Sequence, residues 1–156
     1  MIVLTQDLQG EHAIILGNLA VLESSGPVGE ELEFLERYVD GCHHAKEELV
    51  LFPALESVGR GGDALVREAL DQHEELRELV RELRSGGPPS LAIRLAGLLR
   101  SHIEMEDSVT YAVAEYAFSD DEKRDLLESM GRLHAGRCSG FADAAAGISR
   151  RFLGKP

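Results

Sequence analysis

The sequence predicts an all-α fold, an up-down-up-down antiparallel four-helix bundle over residues 1–118 with an additional C-terminal helical segment over 119–156 packed on it. Apolar residues recur at steps of three and four, and strand-like alternation is absent. Clusters of Gly, Pro and Ser interrupt the periodicity near residues 26, 60 and 87, leaving four long amphipathic stretches.

The first stretch starts at Thr5, a residue type suited to an N-cap, and runs through Leu8, His12, Ile15, Leu19 and Leu22 to Ser24-Ser25-Gly26-Pro27. Pro27 suits the first turn of the second helix, which carries Leu32, Leu35, Val39, His43, Glu47 and Leu51 to Gly59, with a kink expected at Pro53. Asp63 is placed to cap the third helix, with Val66, His73, Leu76 and Leu83 on one face. The fourth runs from about Pro89 through Ile93, Leu98, His102 and Val109 to about Phe118. Ser119-Asp120-Asp121-Glu122 reads as a capping box that opens a further helix with Leu126, Leu127, Met130 and Leu133. The Ala- and Gly-rich tail from Gly136 sets no clear pattern.

Sixteen basic against 28 acidic residues leave a net charge of −12, which excludes a nucleic-acid or anionic-membrane surface. No 18-residue apolar run occurs, and Met1-Ile2-Val3-Leu4-Thr5 lacks a basic leader, so neither a membrane span nor export is expected. The two cysteines, Cys42 and Cys138, match neither a disulfide framework nor a zinc knuckle, and the expectation is a cytoplasmic, reducing compartment with two separate thiols.

Chemistry concentrates at Cys42-His43-His44-Ala45-Lys46-Glu47-Glu48. His43 and Glu47 share one helical face about one turn apart, close enough to reach a common centre. His102 and Glu106 repeat that spacing, followed by Asp107 where Glu48 stands. From the turn centres, His12 lies 14 residues before the first and His43 17 after it, Glu47 13 before the second and His73 13 after it, and His102 15 after the third. Such mismatches amount to less than about 5 Å of helix rise, so the four histidines meet at one level. His12 to His73 spans 61 residues and His43 to His102 spans 59, which describes two helical hairpins facing each other.

Four imidazoles and two carboxylates in a bundle interior need a cation or a dense hydrogen-bond network. Without a thiolate, the donor set suits non-haem iron or manganese rather than structural zinc. Glu48 and Asp107 read as neighbours of the ligands, and Glu11, Glu74, Glu75 and Glu104 as charged surface positions. Lys46 reads as a solvent-facing ion-pair partner. Tyr111 stands about 180° around the fourth helix from His102, which gives it a packing role, and the His134/Cys138 spacing reads as coincidence.

The order His12, His43-x-x-x-Glu47, His73, His102-x-x-x-Glu106 resembles the hemerythrin and HHE cation-binding domain family over about residues 5–118. The resemblance implies two non-haem iron ions, with Glu47 and Glu106 bridging them and His12, His43, His73 and His102 as terminal ligands. It also implies dioxygen, peroxide or nitric oxide as the small molecule engaged. Oxygen carriers of the family place a second His one turn along the third helix, where this chain has Arg77, and reversible oxygen carriage is not implied. His44 is open between a further metal ligand and a residue beside the ligands. The same centre also admits an enzyme acting on peroxide, nitric oxide or ferrous iron, and a metal-stabilised regulatory module whose C-terminal segment makes a homodimer or partner contact. A ferritin-like oxidase is disfavoured because Glu-x-x-His occurs at none of the histidines.

Overall fold

The computed structural model describes residues 1–25, 29–59 and 62–153, and among these all regular structure is helical, with no strand. The turn residues Gly26, Pro27, Arg60 and Gly61 lie outside the described residues. Helix α1 spans Gln6–Ser25. A second rod, 29–58, opens as α2 (Gly29–Phe34), continues through π-helical stretches Leu35–His44 and Glu47–Leu51, and closes as α3 (Phe52–Val58). It stops at Gly59, whose φ of 59° is the left-handed conformation that glycine adopts without strain. Helix α4 (Gly62–Arg84) is the third rod. The fourth, 90–117, comprises α5 (Ser90–Met105), a π-helical turn Glu106–Thr110 and α6 (Tyr111–Ala117).

The expected capping box at Ser119 and Glu122 is present and starts α7 (Asp120–Arg137). The Ala- and Gly-rich tail is helical as well, as α8 (Phe141–Leu153). Two expected caps differ. Thr5 turns its hydroxyl and its N–H to Glu115, 3.0 and 2.8 Å away, rather than to its own helix. Asp63 lies inside the first turn of α4, where a negative charge still meets the positive end of the helix dipole. At Pro53 the rod accommodates the missing N–H directly after a π turn, where the Phe52 N–H has already shifted its bond to the Glu47 carbonyl, five residues back.

Helix α1 packs on α5 and α8, α4 packs on α5 and on the second rod, and α7 crosses that rod's π-helical stretches. The apolar core splits in two. One cluster gathers Ile15, Leu19, Leu35, Leu79, Leu95 and Leu99, and the other Leu8, Leu51, Phe52, Leu55, Val66 and Ala114. The level between them, at residues 11–12, 43–47, 72–73 and 102–106, is polar. The two cysteines are not separate thiols: Cys42 and Cys138 form a disulfide with Cα atoms 5.3 Å apart across 96 residues of chain. The end of α7 folds back over the second rod and brings them together, a contact that sequence spacing does not encode. No helix among the described residues is long and apolar enough to cross a membrane.

Candidate metal centre

The polar level holds all seven residues singled out in sequence, His12, His43, His44, Glu47, His73, His102 and Glu106, and none is more than 2 % exposed. α1 supplies His12, the second rod His43, His44 and Glu47, α4 His73, and the fourth rod His102 and Glu106. Each imidazole is oriented the same way. The Nδ1 atoms point outward to acceptors: His12 to Asp107 at 2.7 Å, His43 to Glu11 at 3.2 Å, His44 to Asp40 at 3.4 Å, His73 to Glu48 at 3.3 Å and His102 to Gln72 at 2.6 Å. An Nδ1–H donated to each acceptor leaves the Nε2 lone pair aimed inward, the orientation that outer carboxylates impose on metal-binding imidazoles.

The carboxylates divide their oxygens between the imidazoles. Glu47 places Oε1 3.3 Å from His43 Nε2 and Oε2 3.2 Å from His73 Nε2. Glu106 places Oε2 3.1 Å from His12 Nε2 and Oε1 3.2 Å from His102 Nε2. These contacts largely lack hydrogen-bond geometry, and His43 Nε2, His44 Nε2, Glu47 Oε2 and Glu106 Oε1 have no hydrogen-bond partner among the described residues. Buried orphans cost about 1–3 kcal/mol each, so four converging on one spot require a shared positive partner. The donor atoms form two groups, His44, Glu47, His73, His102 and His12, His43, Glu47, Glu106, each with all atoms within 4.8 Å of one another and with Glu47 common to both. A pair of cations suits this set of nitrogen and carboxylate oxygen without thiolate.

Electrostatics divide the cage unevenly. Burial disfavours charge on His43, but the nearby Glu47 charge and the Nδ1–H donated to Glu11 outweigh it and raise His43 to about 10. The close Glu47 carboxylate and the Nδ1–H donated to Glu48 likewise overcome burial and raise His73 to about 9. Burial dominates at His44 and His102 and lowers both to about 3. Glu47 sits well below the ordinary carboxylate value because His43 and His73 outweigh its burial, while burial and the Glu47 charge push Glu106 up to about 7.

Several neighbours differ from expectation. Glu11 is not a surface position but is buried, bonded to His43 through Oε1 and to Lys46 Nζ through Oε2 at 2.7 Å. Lys46 is not solvent-facing either, since its ammonium lies between Glu11 and His134 Nδ1, 2.9 Å away. Tyr111 enters the cage, donating its hydroxyl to Glu47 Oε1 at 2.6 Å. The π turn is the reason: its hydrogen bonds reach five residues back, so the Tyr111 N–H bonds the Glu106 carbonyl and the extra residue brings the side chain round to the cage instead of the far side. Glu48 and Asp107 act through His73 and His12, respectively. The signal for Glu11 was available in the repeat, because an offset of 61 maps Glu11 on Gln72, the two residues that hold His43 and His102.

The model of the hemerythrin HHE cation binding domain matches residues 3–114. The chain belongs to that family. No curated protein and no solved structure matches it. In this HHE domain, whose family character is cation binding, Arg77 occupies the position one turn beyond His73 and is tied to Asp40, Glu48 and Glu74. It therefore holds the acceptors of both His44 and His73. His44 stacks on His73 with ring centroids 3.6 Å apart and turns its Nε2 into the group that contains His73 and His102.

Proposed function

We propose that this HHE domain holds two non-haem iron ions within a hemerythrin-like, up-down-up-down four-helix bundle and engages dioxygen or a related small molecule, in a binding, sensing or storage role. His44, His73 and His102 would hold one ion, His12 and His43 the other, and Glu47 and Glu106 would span both. The observation that carries this reading is the common polarity of the five imidazoles, Nδ1 bonded outward and Nε2 directed inward, around two carboxylates that each face two of them. Bound iron would supply an open coordination position and a one-electron couple at each ion.

The chain's own residues set the conditions for that chemistry. The two apolar clusters keep bulk water from the cage, and Arg77 fixes the acceptors of His44 and His73. Tyr111 keeps a proton at Glu47 Oε1, its phenol held far above its ordinary value by burial and by the Glu47 and Glu106 charges. That buried proton donor favours one alternative, an enzyme acting on peroxide.

Iron quantification and an optical spectrum under air test the proposal. Two irons per chain and an oxo-bridged band near the ultraviolet edge are expected, and His43→Ala and Glu47→Ala should each bring iron to background. Retention of two irons by both variants overturns the ligand set. A spectral change with azide supports an open position, and peroxide-dependent oxygen evolution confined to the iron-loaded protein moves the assignment to the enzyme.

A further inference from the structure

A cleft of about 970 Å³ lies between α1 and the α7–α8 junction, lined among others by Glu11, Lys46, His134 and Cys138. Cys138 brings the disulfide to its wall, while the Cys42 sulfur lies behind it, 3.7 Å from Glu11 Oε2. The same carboxylate holds His43 Nδ1 through its other oxygen, so one side chain touches both the disulfide and the metal cage. Lys46 links Glu11 to His134, whose side chain is 56 % exposed and reaches solvent. Cys138 is only 4 % exposed, but a disulfide serving only as a staple has no need of a cleft along its flank or of a shared contact with an imidazole that faces the cage.

We infer that Cys42 and Cys138 are a redox-active pair that exchanges with a low-molecular-weight thiol entering this cleft, and that Glu11 relays the state of the pair to the His43 side of the metal centre. The thiolate of the incoming thiol attacks Cys138 Sγ, the Cys42–Cys138 bond breaks, and its electron pair leaves on Cys42 Sγ, which takes the proton the incoming thiol gave up. A second thiol attacks the mixed disulfide at its outer sulfur and releases Cys138 as a thiol. Two small thiols are oxidised to one disulfide, and the protein pair is reduced to two thiols. Attack at Cys138 follows from its place on the cleft wall.

The relay is a change in hydrogen bonding. The oxidised Cys42 sulfur has no proton to donate, whereas the reduced thiol donates to Glu11 Oε2, already occupied by Lys46. Glu11 then draws less strongly on the His43 Nδ1–H, and the basicity of His43 Nε2 falls. In a compartment kept reducing, disulfides are transient and serve catalysis or sensing, which reconciles the bond with the sequence expectation of free thiols. The relay rests on the proposed metal reading and the exchange does not.

The full-length protein, with and without iron, is equilibrated in graded mixtures of reduced and oxidised dithiothreitol, and free thiols are counted by maleimide mass shift. The folded chain should exchange reversibly with its circular dichroism unchanged. The iron-loaded form should favour the disulfide at least ten-fold, a midpoint about 30 mV more negative, with the same factor appearing as tighter iron binding by the oxidised form. Glu11→Gln should still exchange but lose the difference between loaded and metal-free midpoints. Cys138→Ser, with Cys42 a permanent thiol, should bind iron as weakly as the reduced chain. A pair that reduces only when guanidinium unfolds the protein overturns the exchange. Equal midpoints with and without iron overturn the relay. A chain that takes up no iron overturns the metal reading and the relay with it, while the metal-free titration still decides the exchange.

Discussion

Residues 6–58 and residues 62–117 build the same half-cage from the same pattern but finish it differently. His12 and His73, His43 and His102, Glu47 and Glu106, and Glu48 and Asp107 correspond in sequence and occupy matching roles. Elsewhere the halves diverge. His44 faces Ile103, Phe52 faces Tyr111, and the acceptor for the second-rod imidazole is the carboxylate of Glu11 where its counterpart is the amide of Gln72. The frame is thus duplicated, while charge, a fifth imidazole and a proton donor are each given to one half. The difference teaches that a metal pair in this cage would consist of two unlike ions.

The largest break in that comparison is His44→Ile, which gives the first half the residue of the second. One of two irons should be lost on metal analysis while the other stays, and a variant with both irons removes His44 from the ligand set. Next come the mirror-related outer acceptors. Glu48→Ala and Asp107→Ala should each weaken iron binding by about 10–100-fold in chelator competition. Similar losses would show that the duplicated frame works alike in both halves, and a loss in only one would mark that half as dominant.

A smaller effect comes from Tyr111→Phe, which copies Phe52 into the second half. The variant should keep both irons and lose about 1.5–3 kcal/mol in urea unfolding, the contribution of a hydrogen bond to a charged acceptor. Unchanged stability would mean that the hydroxyl contributes nothing at Glu47. The smallest lies outside the cage. Burial would raise Glu115, but Lys123 and both donors of Thr5 hold it below its ordinary 4.5. A lowered folded value means stabilisation that is present above pH 4.5 and lost as the pH falls through that value. The half-buried setting limits the effect to about 1 kcal/mol or less, and Glu115→Gln should flatten that part of the urea stability profile between pH 5 and about pH 3.

Much of the cage was legible in sequence because helix rise converts residue counts into height. His12, His43, His73 and His102 lie at similar distances from their turns, and the structure brings them together with both carboxylates. The all-helical class and the capping box at Ser119 were equally legible from periodicity and residue type. What escaped depended on angle or on distant chain. Tyr111 was assigned to the wrong side because a constant 100° per residue fails across a π turn. Lys46 and Glu11 lie beneath the end of α7, in contact with a residue 88 or more positions away.

The π turns also widen the inward face of the rods that carry them. On the fourth rod the buried positions Ala92, Leu95, Leu99, His102 and Glu106 keep helical time, and at the wide turn two successive residues, Thr110 and Tyr111, are buried before Ala114 and Ala117. The second rod does the same after Glu47, burying both Leu51 and Phe52 before Leu55. Both rods therefore serve two apolar clusters, and the cage sits at the seam where each face broadens. Removing a single residue between Glu106 and Tyr111 would restore regular helix and turn the whole lower half of that rod out of step with its core.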